Sequence, residues 1–273
     1  MKTGQALLRD INETIVPEDG LAFWWLGQVS YVVKVGDIVL YFDPFLQETT
    51  SRQIPSLLEA ETIDHADWVF GSHDHMDHID PVAISGIAQA SPQSRFVVSR
   101  VARLRLLDMG INPSRIIALD EGMAHNDLNL SITPVAAKHE AFDHDPELGY
   151  PYLSYIVEIG GLTILHLGDT LCYEGLVTKL RPWAIDVMFV PINGRDAERY
   201  LRGCLGNMTY QEAVDLAGEL SPRLTVPGHY DMFANNSQDP APFAAMIEAK
   251  YPELDYWIGD HGEAVILPPR QAS

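Results

Sequence analysis

The stretch Gly71-Ser72-His73-Asp74-His75-Met76-Asp77-His78-Ile79-Asp80 follows directly on the apolar run Trp68-Val69-Phe70, and it constrains the chain more than any other feature. His73 and His75 are two positions apart, so an extended strand end sends both imidazoles to one side, where they can meet one ion. Asp77 and His78 fall where the chain turns toward the next helix, so they point elsewhere and can take a second ion nearby. The competing reading is a polar loop that is merely rich in histidine. Nitrogen and oxygen ligands at metal spacing favour a compact dinuclear site instead. Asp77 suits three roles, as ligand, water-orienting residue or proton acceptor, and is therefore also the candidate catalytic residue.

A chain of 273 residues, 47% of them hydrophobic, can bury a substantial core, and residues 1–273 read as a single α/β domain without linker or low-complexity tract. The formal net charge of -20 argues against nucleic acid and anionic membranes as partners. Cys172 and Cys204 form no C-x-x-C pair and read as two ordinary buried thiols in a reducing cytoplasm. Charges interrupt the N-terminal segment where a signal peptide needs an apolar core, and no apolar run is long enough to span a bilayer. The expectation is a cytoplasmic protein acting on a small molecule; its oligomeric state is not legible.

Along the chain, Leu7, Leu8, Ile11 and Ile15 recur at helical spacing and predict a short amphipathic helix. Residues 22–26, 31–35 and 38–42 read as strands, the last two joined by a tight turn at Gly36-Asp37. Asp43, before Pro44, is either a turn former or a hydrogen-bond partner for a ligand imidazole. A helix is expected over 81–90, with Pro81 in its first turn. Strand, helix and strand follow over 95–98, 101–109 and 115–118, then a strand over 128–135. The polar segment 140–151 reads as a flap beside the ligands. Residues 152–159 and 162–167 pair across Gly160-Gly161, and 186–192 and 223–227 are further strands. Thr209 and Glu212 match a capping box.

His73-x-His75-x-Asp77-His78 resembles the signature of the metallo-β-lactamase superfamily of metal-dependent hydrolases. The resemblance implies an αββα sandwich, two mixed sheets flanked by helices, with ligands at strand ends along one edge. It also implies three further ligands in order, which His139, Asp169 in His166-Leu167-Gly168-Asp169-Thr170, and His229 in Val226-Pro227-Gly228-His229-Tyr230 supply. The expected set is thus His73, His75, Asp77, His78, His139, Asp169 and His229. His144 rivals His139, which is preferred because it follows a strand directly. His166, inside an apolar strand, reads as a packed and hydrogen-bonded histidine rather than a ligand. His65, His125 and His261 have no ligand-like setting.

Imidazoles and carboxylates without thiolates suit two divalent ions, Zn²⁺ or Mn²⁺ and also Fe²⁺. Two cations bridged by Asp169 would lower the pKa of a water between them to about 7, providing hydroxide as the nucleophile. Longer runs, Pro191-Ile192-Asn193-Gly194-Arg195-Asp196, Gly206-Asn207-Met208-Thr209 and the eight residues from His229, resemble the branch containing the L-ascorbate-6-phosphate lactonases. That implies cleavage of a lactone ester in a phosphorylated sugar acid, with Asn193, Arg195 and Asn207 at the anionic end of the substrate. Against this, Asn193-Gly194 can be a plain turn and Arg195 a surface ion pair. Two other functions fit the same residues: a phosphodiesterase acting on a cyclic nucleotide or phospholipid-derived substrate, and a non-catalytic metal-binding module, which the loss of a ligand would favour.

Overall fold

Side-chain alternation along one strand decides how the layers stack. In a computed structural model, which describes residues 1–127 and 129–270, Leu21, Phe23 and Trp25 of β1 (Leu21–Gly27) enter one apolar cluster, and Ala22, Trp24 and Leu26 enter another. A strand buried on both faces must carry a packed layer on each side. The first cluster lies between two sheets, and the second lies under helices.

The remaining strands are β2 (Ser30–Val35), β3 (Ile38–Phe42), β4 (Trp68–Phe70), β5 (Arg95–Ser99), β6 (Ile116–Leu119), β7 (His125–Asp127), β8 (Leu130–Ala136), β9 (Leu153–Ile159), β10 (Leu162–His166), β11 (Val187–Pro191), β12 (Leu224–Gly228) and β13 (Ala264–Leu267). Among the described residues one sheet has the order β13-β1-β2-β3-β4-β5-β6 and the other β12-β11-β10-β9-β8-β7. Both are mixed: β1 to β3 are antiparallel and β3 to β6 parallel, while β10 to β12 are parallel and β7 to β10 antiparallel. The helices are α1 (Gly4–Glu13), α2 (Pro81–Ala90), α3 (Arg103–Asp108), α4 (Leu176–Leu180), α5 (Ala197–Leu201), α6 (Tyr210–Leu220) and α7 (Ala241–Lys250). Buried residues of α1, α2 and α3 cover the outer face of the first sheet, and those of α4, α6 and α7 cover that of the second. The result is the expected αββα sandwich.

Local chemistry places several of these elements. The turn at Gly36-Asp37 sets Val35 opposite Ile38, as the strand pattern implies. Asp80 caps α2 by accepting from Val82 N, and Pro81 follows where no intrahelical N–H is required. The capping box of Thr209 and Glu212 opens α6.

Some expectations need correction. The first helix ends at Glu13, so Ile15 lies beyond it and is 88% exposed. β13, α4, α5 and α7 were not anticipated, being short or lacking a clear apolar stripe. The strand expected from residue 128 begins at Leu130; Leu128 lies outside the described residues. Neither cysteine is buried as expected: both are free and both sit in loops, Cys172 exposed and Cys204 half-buried. No helix among the described residues is long and apolar enough to cross a membrane.

The C-terminal end of α1 is held by a buried lysine. Lys34 Nζ donates to the carbonyls of Ile11, Asn12 and Thr14 at 2.9, 2.8 and 3.1 Å, placing a cation where the last carbonyls of the helix are unpaired. Lys34→Met keeps the apolar stem and leaves those carbonyls without their donor. Its unfolding free energy should fall by about 1–3 kcal/mol, measured by urea denaturation.

Candidate metal centre

The cluster assembles because several chain segments end at the same edge of the sandwich. β3 and β4 are parallel neighbours, with Phe42 opposite Phe70, so Asp43 and the Gly71-Ser72-His73 segment emerge side by side. β10 and β12 run parallel to β11 between them and deliver Asp169 and His229 just past their C-terminal ends. β8, which like β10 runs antiparallel to β9, delivers His139 to the same edge. Ligands collect at such strand ends in many α/β folds. Gly168 allows a close approach: its φ is +57°, and a Cβ there would lie 2.7 Å from Ser72 Cβ. Any side chain at Gly168 would push Asp169 away from His73 and His78.

All seven expected residues converge. Three groups bring their donor atoms within 4.8 Å of one another: His73, His75 and His139; His73, His78 and Asp169; Asp77, His78 and His229. His73 Nε2 and His75 Nδ1 are 2.7 Å apart, as expected, but a bend after the end of β4, not a continued extended strand, brings them together. His78 N donates to His75 O, and that turn carries Asp77 and His78 to the other side. Asp169 is the hub. Its Oδ2 lies 3.5 Å from His78 Nε2, 3.6 Å from His139 Nε2 and 3.2 Å from His229 Nε2.

These distances test whether the residues fit a cation. Two donors on a tetrahedral ion with bonds near 2.1 Å are about 3.4 Å apart, which is longer than a good hydrogen bond and matches the separations around Asp169. His78 Nε2 and Asp169 Oδ1 are moreover buried without a hydrogen-bond partner. A folded chain rarely leaves such atoms bare unless an ion or water completes them.

Hydrogen bonds behind the cluster aim the imidazoles. His139 Nδ1 lies 3.1 Å from Gly206 O; a carbonyl can only accept, so Nδ1 carries the proton and Nε2 keeps its lone pair toward Asp169. His78 Nδ1 donates in the same way to Asp43 Oδ2 at 2.8 Å. Ser72 Oγ donates to Asp43 Oδ2 at 2.7 Å and is thereby free to accept from His73 Nδ1 at 3.0 Å. His166 is buried and donates from Nε2 to the same carboxylate oxygen at 2.9 Å, as a packed histidine rather than a member of the cluster. Ser72 N donates to Asp43 Oδ1 at 2.7 Å. Asp43 thus orients His78 directly and His73 through Ser72.

Electrostatics divide the cluster in two. Burial lowers the pKa values of His73, His75 and His139 and keeps these imidazoles neutral, the form that binds metal. Burial acts the same way on His78 and His229, but the facing carboxylates of Asp169 and Asp77 outweigh it and raise both. Burial pushes the Asp169 carboxyl up, and His229 and His78 more than reverse this, holding it well below its usual range. Burial likewise opposes charge on Asp43, and His166 and His78 prevail. The carboxylates therefore stay charged at a place that calls for positive charge.

The cluster opens into a cavity of about 320 Å³ whose lining includes His75, Asp77, His139, Asp169 and His229 from the cluster, with Gly203–Leu205, Phe233, Asn235 and Asn236 opposite. A larger cleft, about 830 Å³, lies at the other end of the sandwich by the Gly36 and Gly160 turns; no histidine or cysteine lines it among the described residues.

Residues 140–151 do not line the cavity, and His144 is exposed against Tyr150, away from the cluster. Asn193, Arg195 and Asn207 stand behind the cavity wall. Arg195 makes a bidentate pair with Glu212 at 2.7 and 2.8 Å, and buried Asn193 and Asn207 bond each other at 3.1 Å. None of the three reaches the lining, because each is committed to holding the 194–207 loop. Sequence reasoning missed Gln28, which touches both Asp77 and His229, and Cys204, which lines the cavity. The only signal for Gln28 was a long polar side chain, with Ser30 nearby, inside the otherwise apolar run from Trp24 to Val33.

The sequence profile of the β-lactamase superfamily domain matches residues 39–230, a span that includes every residue of the cluster. A UPF0173 metal-dependent hydrolase of Thermococcus kodakarensis is 28% identical over 247 residues, covering 90% of this chain and 95% of that protein. Among solved structures, Igni18, a metallo hydrolase from Ignicoccus hospitalis, superposes with a TM-score of 0.71 at 21% identity, covering 92% of this chain and all of the other. An isothiocyanate hydrolase from Delia radicum gut bacteria gives 0.70 at 15% identity, covering 90% and 99%. At these identities the two structures speak for the fold alone.

Asp43→Asn keeps the shape of the side chain but turns an amide toward groups that already donate. Metal-free Asp43→Asn should lose about 2–4 kcal/mol of stability, visible as a clear fall in its unfolding temperature. An unfolding temperature equal to that of wild type would remove Asp43 from its central place.

Proposed function

The chain belongs to the β-lactamase superfamily, and from that premise we propose that it is a metal-dependent hydrolase that holds two divalent cations in its His/Asp cluster and cleaves a small uncharged ester or lactone. The observation that carries this reading is Asp169 Oδ2, placed between three imidazole nitrogens at 3.2 to 3.6 Å on the wall of a cavity. The relatives described as metal-dependent hydrolases support it.

When bound, such cations lower the pKa of water and polarise a substrate oxygen. The chain's own residues do the rest. Asp77 lines the cavity, and its side chain is only 19% exposed. It is placed to orient the attacking water and accept its proton. His73, His75 and His139 stay neutral and offer lone pairs. Asp169 ties the two halves of the cluster together. Phe233 and Leu205 limit the space for water, and Asn235 and Asn236 offer amides to the polar part of a substrate.

The lining favours an uncharged substrate. No lysine or arginine occurs among the described residues that line the cavity, and Arg195 is engaged by Glu212. A phosphorylated sugar acid would bring its phosphate into a site without a side-chain cation, within a chain of net charge -20. Asn193, Arg195 and Asn207 act in this reading by holding the loop that closes the cavity. The free cysteines accord with a reducing cytoplasm.

The test is a substrate panel on protein reconstituted with zinc or manganese: neutral lactones, p-nitrophenyl acetate and bis(p-nitrophenyl) phosphate. Lactone or ester turnover is expected, abolished by chelation and reduced about 10²–10⁴-fold in Asp77→Asn, with KM little changed. Preference for the phosphodiester would replace this reading with the phosphodiesterase one. Turnover indifferent to chelation would contradict both.

A further inference from the structure

Behind Asp77 and His229 lies a residue that no ligand motif includes. Gln28 is fully buried in the turn between β1 and β2. Its Nε2 donates to Asp77 Oδ2 at 2.7 Å and lies 3.0 Å from His229 Nε2. One amide therefore contacts two members of the Asp77, His78 and His229 group, and its own Oε1 is buried without a partner.

The backbone is built to hold that amide in place. Gln28 has φ +57° and His229 has φ +59°, both in the left-handed region that unbranched, non-glycine residues rarely occupy. The two strained residues face each other, and His229 N donates to Gln28 O at 2.9 Å. Trp25 Nε1 donates to the same carbonyl at 3.0 Å. Gln28 N donates to Asp231 Oδ1 at 3.0 Å, and Asp231 is braced by His261 Nε2, whose ring stacks on Trp25 at 4.1 Å. Gly27, with φ +99°, brings the turn so close to the 231–232 segment that a Cβ would lie 2.7 Å from Met232. The turn and the loop after β12 are thus locked at several points, and the Gln28 amide is what that lock presents to the cluster.

We propose that Gln28 is a positioning residue: its amide fixes Asp77 and His229 relative to each other and so sets the cation affinity of the Asp77, His78 and His229 group. The inference rests on the metal-dependent reading above. It differs from the action of Asp43, which reaches the cluster from the opposite side through His78 and Ser72. Ordering a carboxylate before the cation arrives removes an entropic cost from binding. Partners of this kind typically change metal affinity 10–100-fold.

Two substitutions test it. Gln28→Met keeps the length and removes the donor, while Gln28→Asn keeps an amide, tolerates the left-handed backbone and is one methylene too short to reach Asp77. Metal-free wild type and both variants would be titrated with zinc chloride alone by calorimetry, alongside thermal unfolding of the metal-free forms. Both variants should bind at least one zinc ion tenfold or more weakly, with metal-free unfolding temperatures within a few degrees of wild type. On a substrate that wild type turns over, kcat should fall while KM stays within about threefold. Zinc binding within twofold of wild type in either variant would overturn the proposal, and so would weakened binding accompanied by collapse of the metal-free fold in both. Zinc binding by wild type without turnover would defeat only the hydrolase reading. Failure of wild type to bind zinc would defeat the metal reading and this inference with it.

Discussion

The cluster depends on one buried carboxylate that is not part of it. Asp43 has no solvent exposure, yet one of its oxygens accepts from His78, His166 and Ser72 and the other from Ser72 N. A charge in that position survives only because each lone pair is met, and the same bonds fix the tautomer of His78 and, through Ser72, of His73. The parallel pairing of β3 and β4 makes this possible by bringing Asp43 level with Ser72. Fold and site are therefore one construction: shifting that register by one residue would turn Asp43 away and leave two imidazoles undirected.

On the other side of the cluster the constraint is backbone strain. Gln28 and His229 both occupy the left-handed region, and the hydrogen bond between them joins the first sheet to the second beside Asp77. Between these two anchors, Asp169 draws three imidazoles toward one oxygen. Among the described residues, the lining of the neighbouring cavity adds no lysine or arginine. In the proposed reading, cations supply positive charge there and the remaining wall takes a small uncharged substrate.

Much of this was legible in the sequence because its signals are local. The His73 to His78 spacing, the Gly36-Asp37 turn, Pro81 in the first turn of α2 and the capping box at Thr209 each act within a few residues, and each stands as read. The pairing of β9 with β10 followed from the strand pattern across Gly160-Gly161, and His139 was preferred to His144 because it follows a strand directly. What escaped was long-range or short in extent. Gln28 meets Asp77 across 49 residues and His229 across 201, and no pattern in its neighbourhood announces either contact. β13 has four residues at the sheet edge, and α7 buries only Phe243 and Ile247, too little for a visible stripe. Arg195 looked available for an anion because its partner Glu212, in the first turn of the next long helix, was already assigned to the capping box, which it serves as well.

The central claim is that Asp169 joins two cation sites, and the most direct measurement is the metal content of desalted protein after reconstitution with zinc, by mass spectrometry of the dissolved metal. Two zinc ions per chain are expected for wild type, and one or fewer for Asp169→Asn with its fold intact. Wild type that retains no zinc, or Asp169→Asn that still retains two, would contradict it.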